Sequence, residues 1–195
     1  MARIRAIIVG DDFRFGNNRE GDIRMLREAG GKLGFDVIPT ETYHYNGQRV
    51  SSSLVRGHLA LGDFKTAAEL LGRPYRVHGK VIHGDKRGKA LGFPTANLAY
   101  KRVNSPLAGV YAVRIRGLER EYEGVANVGT RPVFDGDKVL LETFIFDFDR
   151  DIYGAAVRLE FWQRLRDELK FRSVQDLIAQ MTQDVAATRS LIRSV

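Results

Sequence analysis

One segment of the chain combines residue types that suit phosphate chemistry. It reads HGDKRGKALGFPTAN, from His83 to Asn97, and its glycines continue a series that begins in the preceding apolar run: Gly79, Gly84, Gly88 and Gly92. Glycine lets backbone N–H groups approach an anion closely, and Lys86 and Lys89 add positive charge. The segment therefore indicates a phosphate-binding loop, and the alternative from composition is an exposed hairpin loop with solvated lysines. Neither the Walker A pattern nor G-x-G-x-x-G occurs in it, which excludes the familiar phosphate loops.

The last four residues of this segment, Pro-Thr-Ala-Asn, add two oxygen-bearing side chains. Pro94 fixes its own backbone φ angle, and strand alternation points Thr95 and Asn97 to the same face. A hydroxyl and an amide oxygen are hard ligands, which suit Mg²⁺ that arrives with a nucleotide. The alternative is an ordinary turn in which both side chains bond to the local backbone.

A candidate general base lies in the apolar run KVLLETFIFDF. Glu142 shares a face of the predicted strand with Leu140 and Phe144. A carboxylate among apolar side chains is partly desolvated, which makes it a better proton acceptor near neutral pH. The opposite face of the run is also apolar, so periodicity leaves open whether Glu142 faces a site, water or an arginine. The four histidines form neither H-E-x-x-H nor a Ser-His-Asp pattern.

The elements that position these residues fall into two segments. Residues 1–72 alternate apolar runs with a helical pattern, and Asp63 and Gly72 mark the start and end of the last helix there. From Tyr75 onward, short β-branched and aromatic runs alternate with turn signals such as DGD at 135–137, which favours an antiparallel barrel or sandwich. The run that begins at Ser173 then predicts a C-terminal helix with a capping box. We therefore predict an α+β chain with a domain boundary between residues 72 and 73.

Composition narrows the class of protein. A chain of 195 residues with 44% hydrophobic content can bury a core, and it has no cysteine for disulfides or thiolate metal sites. No apolar run is long enough to span a membrane and no signal peptide is recognisable, so a cytoplasmic protein is the expectation. The net charge of +7 indicates a partner that carries phosphate, although the cations are spread along the chain.

Five motifs in order resemble the riboflavin kinase module of bacterial bifunctional riboflavin kinase/FAD synthetase. They are GKVIHGDKRGKALGFPTANL, PLAGVYAV, GVANVGTRPVF, LETFIFDFDRDIYG and LRDELKF, and they extend over roughly residues 73–192. The resemblance implies a Greek-key antiparallel barrel of about six strands with a C-terminal helix, which transfers the γ-phosphoryl group of ATP to the ribityl 5′-hydroxyl of riboflavin and yields FMN. The sequence departs from the family pattern at Val133 and Phe144, which bears on flavin packing.

The resemblance also implies roles for the residues of these motifs. Glu142 matches the catalytic base, and Thr95 and Asn97 match the ligands of Mg²⁺ and its nucleotide. The ATP-binding positions are implied to be Gly79, Gly84, Lys86, Gly88, Lys89, Gly92, Pro94, Thr95 and Asn97. Beside Glu142, the flavin-binding positions are implied to be Arg166, Glu168 and Phe171.

The first segment resembles the closing part of the FMN adenylyltransferase module of the same enzyme, through VGDDFRFG and VSSSLVRGHLALGDFKTAAELLGRPY. Adenylyl transfer in that module depends on an early H-x-G-H motif, and none of the four histidines forms one. We therefore expect residues 1–72 to be an incomplete, Rossmann-like α/β segment and the chain to form no FAD by itself. The open edge of such a segment would be covered by the barrel, by self-association or by local unfolding.

Two other functions remain open at this point. One is a flavin-binding or regulatory module that has lost turnover, against which the presence of Thr95, Asn97 and Glu142 argues. The other is a nucleic-acid-binding barrel, suggested by the charge, although most aromatic residues lie in strand cores. We expect riboflavin and ATP as partners, with neither nucleic acid nor membrane.

Overall fold

The computed structural model describes residues 4–84, 88, 91–99, 105–133 and 136–193, with the side chains of 130–133, 136–138 and 193 left out. Lys86, Lys89 and part of the predicted DGD turn lie outside the described residues. Packing divides the chain into one unit that ends at Ser51 and a second that begins at Ser52.

The first unit is a strand, a helix and a strand that pair as a parallel unit. Strand β1 (Ala6–Gly10) pairs with β2 (Asp36–Thr40), and helix α1 (Ile23–Leu33) connects them. The side chain of Asp22 accepts hydrogen bonds from two N–H groups of the first turn of α1, at 3.0 Å each. A short hairpin, β3 (His44–Tyr45) and β4 (Gln48–Arg49), follows. The predicted α/β alternation in this part of the chain is confirmed by this arrangement.

Two helices open the second unit; they pack on each other, and the second packs on the barrel. They are α2 (Ser52–Ala60) and α3 (Phe64–Leu71). Asp63 accepts from the N–H of Thr66 at 3.0 Å and Gly72 ends α3 with a φ of 66°, as predicted. The ring of Phe64 stacks on Phe161 of the barrel, with 6.1 Å between centroids. The predicted boundary between residues 72 and 73 stays a prediction, because the helix just before it packs on the barrel.

Six antiparallel strands close a barrel in the spatial order β10-β5-β6-β9-β8-β7. Their bounds are β5 (Arg76–Ile82), β6 (Thr95–Leu98), β7 (Gly109–Arg116), β8 (Tyr122–Val133), β9 (Gly136–Ile145) and β10 (Ala156–Arg166). Strands β7, β8 and β9 are consecutive neighbours, and β6 lies beside β9 rather than β7. This is a Greek key, so the predicted six-stranded Greek-key barrel is confirmed.

The barrel interior determines which face of β9 is available for chemistry. Leu141 and Thr143 point inward and are 2% and 0% exposed. Because side chains alternate along a strand, the face with Leu140, Glu142 and Phe144 points outward. The structure thereby shows that Glu142 points away from the barrel interior.

The predicted C-terminal helix is α4 (Val174–Arg193), which packs on β8 and β10. Its first turn is capped by Ser173, whose hydroxyl oxygen accepts from the N–H of Asp176 at 3.1 Å. Among the residues described, no helix has both the length and the apolar character needed to cross a membrane.

Candidate active site

A cavity of about 440 Å³ lies between the outer face of the barrel and α4. Its volume falls within the usual range for small-molecule sites, roughly 300–1,000 Å³. Most of its wall is apolar, and the apolar side chains are Leu91, Phe93, Val110, Val125, Leu140, Phe144, Leu169, Phe171, Leu177, Met181 and Val185. Phe93 meets Phe144 edge to face, with ring centroids 5.3 Å apart. These walls suit a flat, largely apolar ligand.

A polar row crosses this apolar wall at the middle of β9. Glu142 is directly opposite Asn97 of β6 on one side and Asn127 of β8 on the other, so the three side chains share a face. Asn127 extends the row because its Nδ2 donates to Oε1 of Glu168 at 3.2 Å. Its Oδ1 is buried and has no hydrogen-bond partner among the described residues. A buried acceptor in that state is positioned to receive an N–H or O–H from a ligand.

Two glycines of the predicted phosphate loop lie directly against the Thr-Ala-Asn strand. A side chain at Gly84 would overlap the amide group of Asn97, and one at Gly88 would overlap the carbonyl oxygen of Phe93. The Gly88 Cβ position is also 3.5 Å from Oγ1 of Thr95. Gly84 and Gly88 therefore lie close to the two oxygen-bearing side chains, and only glycine permits that approach at these two points.

An ion pair holds α4 against the mouth of the barrel. Nε and Nη2 of Arg166, at the end of β10, donate to the carboxylate of Asp184 at 2.9 and 2.7 Å. Asp184 also accepts from Gln180 at 3.1 Å, and its side chain is only 6% exposed. The guanidinium of Arg166 lies 6.0 Å from the ring of Phe171. The pair therefore fixes two walls of the cavity relative to one another.

The structure brings together about half of the residues predicted for the site. Those that line the cavity are Gly88, Thr95, Glu142, Arg166, Glu168 and Phe171. Asn97 lies beside it in the polar row, against Gly84. Gly79 faces Leu98 at the joint of β5 and β6, Gly92 occupies a turn with a φ of 84°, and Pro94 is exposed. Lys86 and Lys89 lie outside the described residues.

Sequence reasoning missed most of the apolar wall of the cavity and also its residues Asn127, Phe93 and Asp184. Asn127 lies within GVANVG, and only the pairing of β8 with β9 places it beside Glu142. Phe93 belongs to the recognised segment but carries no chemistry of its own. Asp184 shares the apolar stripe of α4 with Met181 and Val185. A carboxylate in an apolar helical stripe is the signal that would have found it.

A family model described as riboflavin kinase matches residues 71–192, which include the whole barrel and almost all of α4. The chain belongs to the riboflavin kinase family. A second model, described as FAD synthetase, matches residues 1–54. The resemblance predicted from five motifs is thereby confirmed, and the riboflavin kinase match contains every wall of the cavity.

Curated relatives of the riboflavin kinase family resemble nearly the whole chain. The chain is 43% identical over 192 residues to a bifunctional riboflavin kinase/FMN adenylyltransferase of Haemophilus influenzae, covering 98% of this chain and 62% of that protein. The relative of the same name from Escherichia coli K12 is 43% identical over 188 residues, covering 96% of this chain and 60% of that protein. The chain thus spans about three fifths of the length of these relatives.

A solved structure supports the fold of this riboflavin kinase family member over most of its length. It is a crystal structure described as a macrolide-efflux protein from Streptococcus pneumoniae, with a TM-score of 0.70 and 34% sequence identity. The match covers 93% of this chain and 60% of that one.

Proposed function

We propose that this chain is a riboflavin kinase that transfers the γ-phosphoryl group of ATP to the ribityl 5′-hydroxyl of riboflavin, with FMN and ADP as products. The observation that supports this most directly is the position of Glu142. It is a carboxylate in the wall of a largely apolar cavity, in a polar row, and beside a strand that Gly84 and Gly88 approach closely. Together with the family, that arrangement fits a small flavin substrate next to a nucleotide phosphate.

Riboflavin fits the cavity by chemistry as well as by size. The aromatic and aliphatic walls, with Phe93 and Phe144 among them, suit the isoalloxazine ring. The polar row offers partners for the ribityl hydroxyls, because Asn127 Oδ1 accepts and Glu142 both accepts and binds a proton. We propose Phe171, Glu168 and Arg166 as further flavin-binding residues at the mouth, where Arg166 acts from its place in the ion pair with Asp184.

The nucleotide phosphates are proposed to lie under the glycine loop. Gly84 and Gly88 bring backbone close to β6, where N–H groups could face an anion. We propose the remaining loop positions as further ATP contacts: Gly79, Lys86, Lys89, Gly92 and Pro94.

Mg²⁺ is proposed to be held by Thr95 and Asn97 together with the nucleotide. The donor set fits this ion, because a hydroxyl and an amide oxygen on one face of β6 are hard ligands. No cluster of three or more His, Cys, Asp and Glu side chains that would hold a metal occurs among the described residues. Mg²⁺ usually keeps several waters and substrate phosphates as its other ligands. When bound, Mg²⁺ would neutralise phosphate charge.

Glu142 is proposed to remove the proton of the 5′-hydroxyl as that oxygen bonds to the γ-phosphorus. The bond from the γ-phosphorus to the bridging oxygen breaks, and ADP leaves with the electron pair. In phosphoryl transfer most of the acceleration comes from positioning and charge stabilisation, and a general base adds roughly 10²- to 10⁴-fold. Glu142 therefore contributes a minor but measurable share of catalysis.

The test is FMN formation from riboflavin, ATP and Mg²⁺ by wild type, Glu142→Gln and the control Glu123→Gln. Glu123 is a carboxylate on the outer face of the adjacent strand β8, away from the cavity wall. We expect kcat to fall by roughly 10²- to 10⁴-fold in Glu142→Gln, with little change in the riboflavin KM, and to stay at the wild-type value in Glu123→Gln. A wild-type kcat in Glu142→Gln would refute the assignment of the base.

The same assay separates the alternatives. Stoichiometric riboflavin binding without FMN formation by the wild type would indicate a flavin-binding module, and steeply salt-dependent oligonucleotide binding would indicate a nucleic-acid-binding barrel.

The names of the relatives also include FMN adenylyltransferase as a second activity. The prediction that this chain forms no FAD is checked by the absence of an FAD peak. A cytoplasmic location, the absence of nucleic-acid and membrane partners, self-association through residues 1–72 and the boundary after residue 72 remain proposals.

A further inference from the structure

A row of two arginines and a histidine crosses the outer face of the barrel. None of these three residues lines the cavity. Arg158 of β10 is directly opposite His78 of β5 on one side and Arg116 of β7 on the other. Like charges that face each other across strands destabilise a sheet. The repulsion between the two facing arginines therefore has to be offset by a contact other than strand pairing.

The carboxylates near this row form ion pairs with cations outside it or with Arg116 at one end of it. Glu160, in the next row, is 5% exposed and accepts from Nε of Arg76 at 3.1 Å, with Nε of Arg116 at 3.8 Å. Glu121 lies 3.0 Å from Nε of Arg116 and 3.7 Å from Nε of Arg114. Neither carboxylate forms an ion pair with Arg158, which leaves the centre of the row without a counter-charge among the described residues.

Arg158 also has a buried donor with no acceptor. Its Nε is inaccessible to solvent and makes no hydrogen bond to any described residue, whereas Nε of Arg116 lies 3.0 Å from Oε1 of Glu121. Buried N–H groups nearly always have a partner, and leaving one unmet costs free energy. The buried donor of Arg158, at the centre of the row, points to an acceptor that binds from outside the chain.

The row lies in a depression large enough for a small anion. A hollow of about 500 Å³ is lined by His78, Arg116, Arg158 and the glycine that follows β7, Gly117. Gly117 has a φ of 99°, and a Cβ there would lie 2.7 Å from the carbonyl oxygen of Ala156. Glycine therefore keeps the floor of the hollow open where any side chain would strain the turn and fill the space.

We propose that this hollow binds a small oxyanion of the phosphate class, held by Arg158 and Arg116 with His78 at its edge. Guanidinium groups form paired, charge-assisted hydrogen bonds with such oxygens, and the anion would relieve the repulsion along the row. The anion could be free pyrophosphate or the diphosphate of a nucleotide, since both present the same oxygens. The proposal does not depend on the proposed kinase activity, because it shares no residue with the cavity.

The test is a titration of the full chain with sodium pyrophosphate at constant ionic strength, followed by the backbone amide signals in ¹H–¹⁵N NMR spectra. We expect saturable shifts at His78, Gly117 and Arg158, distinct from any shifts at Gly88 and Thr95 in the cavity. Arg158→Gln and Arg116→Gln should each weaken binding at this group of amides about tenfold or more. The control Arg73→Ala removes an exposed cation from the same unit and should leave the affinity unchanged.

The remaining outcomes either support or overturn the proposal. Saturation by ADP as well as pyrophosphate supports the site with a nucleotide as its source, and saturation by pyrophosphate alone supports a free anion. Shifts that do not saturate, that sodium chloride reproduces, or that persist unchanged in both Gln variants overturn it. The cavity amides serve as the check that each variant is folded, because their positions should match those of the wild type.

Discussion

Thr95 and Asn97 each lie next to a glycine of the predicted phosphate loop. Asn97 packs under Gly84 and Thr95 lies near Gly88. Thr95 reaches the cavity wall, whereas Asn97 lies beside Glu142 in the polar row. If both bind Mg²⁺, the ion is located at the boundary between the loop and the row, where the phosphate and the hydroxyl have to meet.

We predict that Thr95→Ala and Asn97→Ala each raise the Mg²⁺ concentration needed for half-maximal FMN formation by roughly 10- to 100-fold, because each removes an oxygen ligand. The measurement is a Mg²⁺ titration at fixed ATP and riboflavin. Thr182→Ala is the matched control, because this hydroxyl on α4 donates only to the carbonyl of Ile178, at 2.9 Å. An unchanged Mg²⁺ requirement in both variants would show that neither residue is a ligand.

At this scale the sequence revealed residue types but not their neighbours. Glu142, Thr95 and Gly88 were predicted from chemistry and from the resemblance, and they line one cavity. Asn127 was missed because it approaches Glu142 through strand pairing, which periodicity within one strand does not specify. Asp184 was missed because its partner, Arg166, lies 18 residues away on another element.

At the scale of elements, α4 is held to the barrel by two ion pairs of unequal burial. The Arg166–Asp184 pair has side chains 18% and 6% exposed, whereas the pair of Arg189 with Asp147 has side chains 43% and 68% exposed. Solvent screens the second pair much more than the first. The buried pair also contributes to the cavity wall, so it connects the position of the helix to the shape of the site.

Asp184→Asn should therefore lower the free energy of unfolding by about 3 kcal/mol, because it leaves Arg166 buried without its counter-charge. Asp147→Asn should cost less than about 1 kcal/mol. Both values come from urea denaturation, and hydrogen exchange of the α4 amides should accelerate only in the first variant. Equal, small losses in both would mean that apolar packing alone positions α4.

Elements were easier to predict than contacts. Capping residues identify helix starts locally, which is why Asp63 and Ser173 were found from the sequence and confirmed by their hydrogen bonds. The packing of α3 on the barrel was not found, because an apolar helix face does not specify which sheet it covers. The aromatic contacts of Phe64 with Tyr111 and Phe161 became visible only in the fold.

At the scale of the whole molecule, the second unit combines two helices with the barrel. Leu59 and Ala67, one from each helix, are 1% and 0% exposed, and Phe64 is 5% exposed. The riboflavin kinase model begins only at residue 71, after both helices. The unit defined by packing is therefore larger than the part of the chain that matches the family model.

A fragment of residues 52–195 should thus be more stable than one of residues 73–195, by more than about 3 kcal/mol. The shorter fragment exposes the rings of Tyr111 and Phe161, and loss of a buried Phe alone costs roughly 3–5 kcal/mol. Urea denaturation followed by the fluorescence of Trp162, the single tryptophan, measures the difference. Phe64→Ala in the longer fragment should reproduce much of it. Equal stability of the two fragments would favour the boundary after residue 72.

Closure of the barrel also determines how quickly the second unit can fold. The closing pair joins β5 to β10, and its side-chain hydrogen bond from Arg76 to Glu160 spans 84 residues. Bringing such distant strands together costs loop entropy before any contact offsets it, and folds of high contact order take milliseconds to seconds rather than microseconds. Since Arg166 of β10 pairs with Val110 of β7 and not with β5, the mouth of the cavity can form without this closing step.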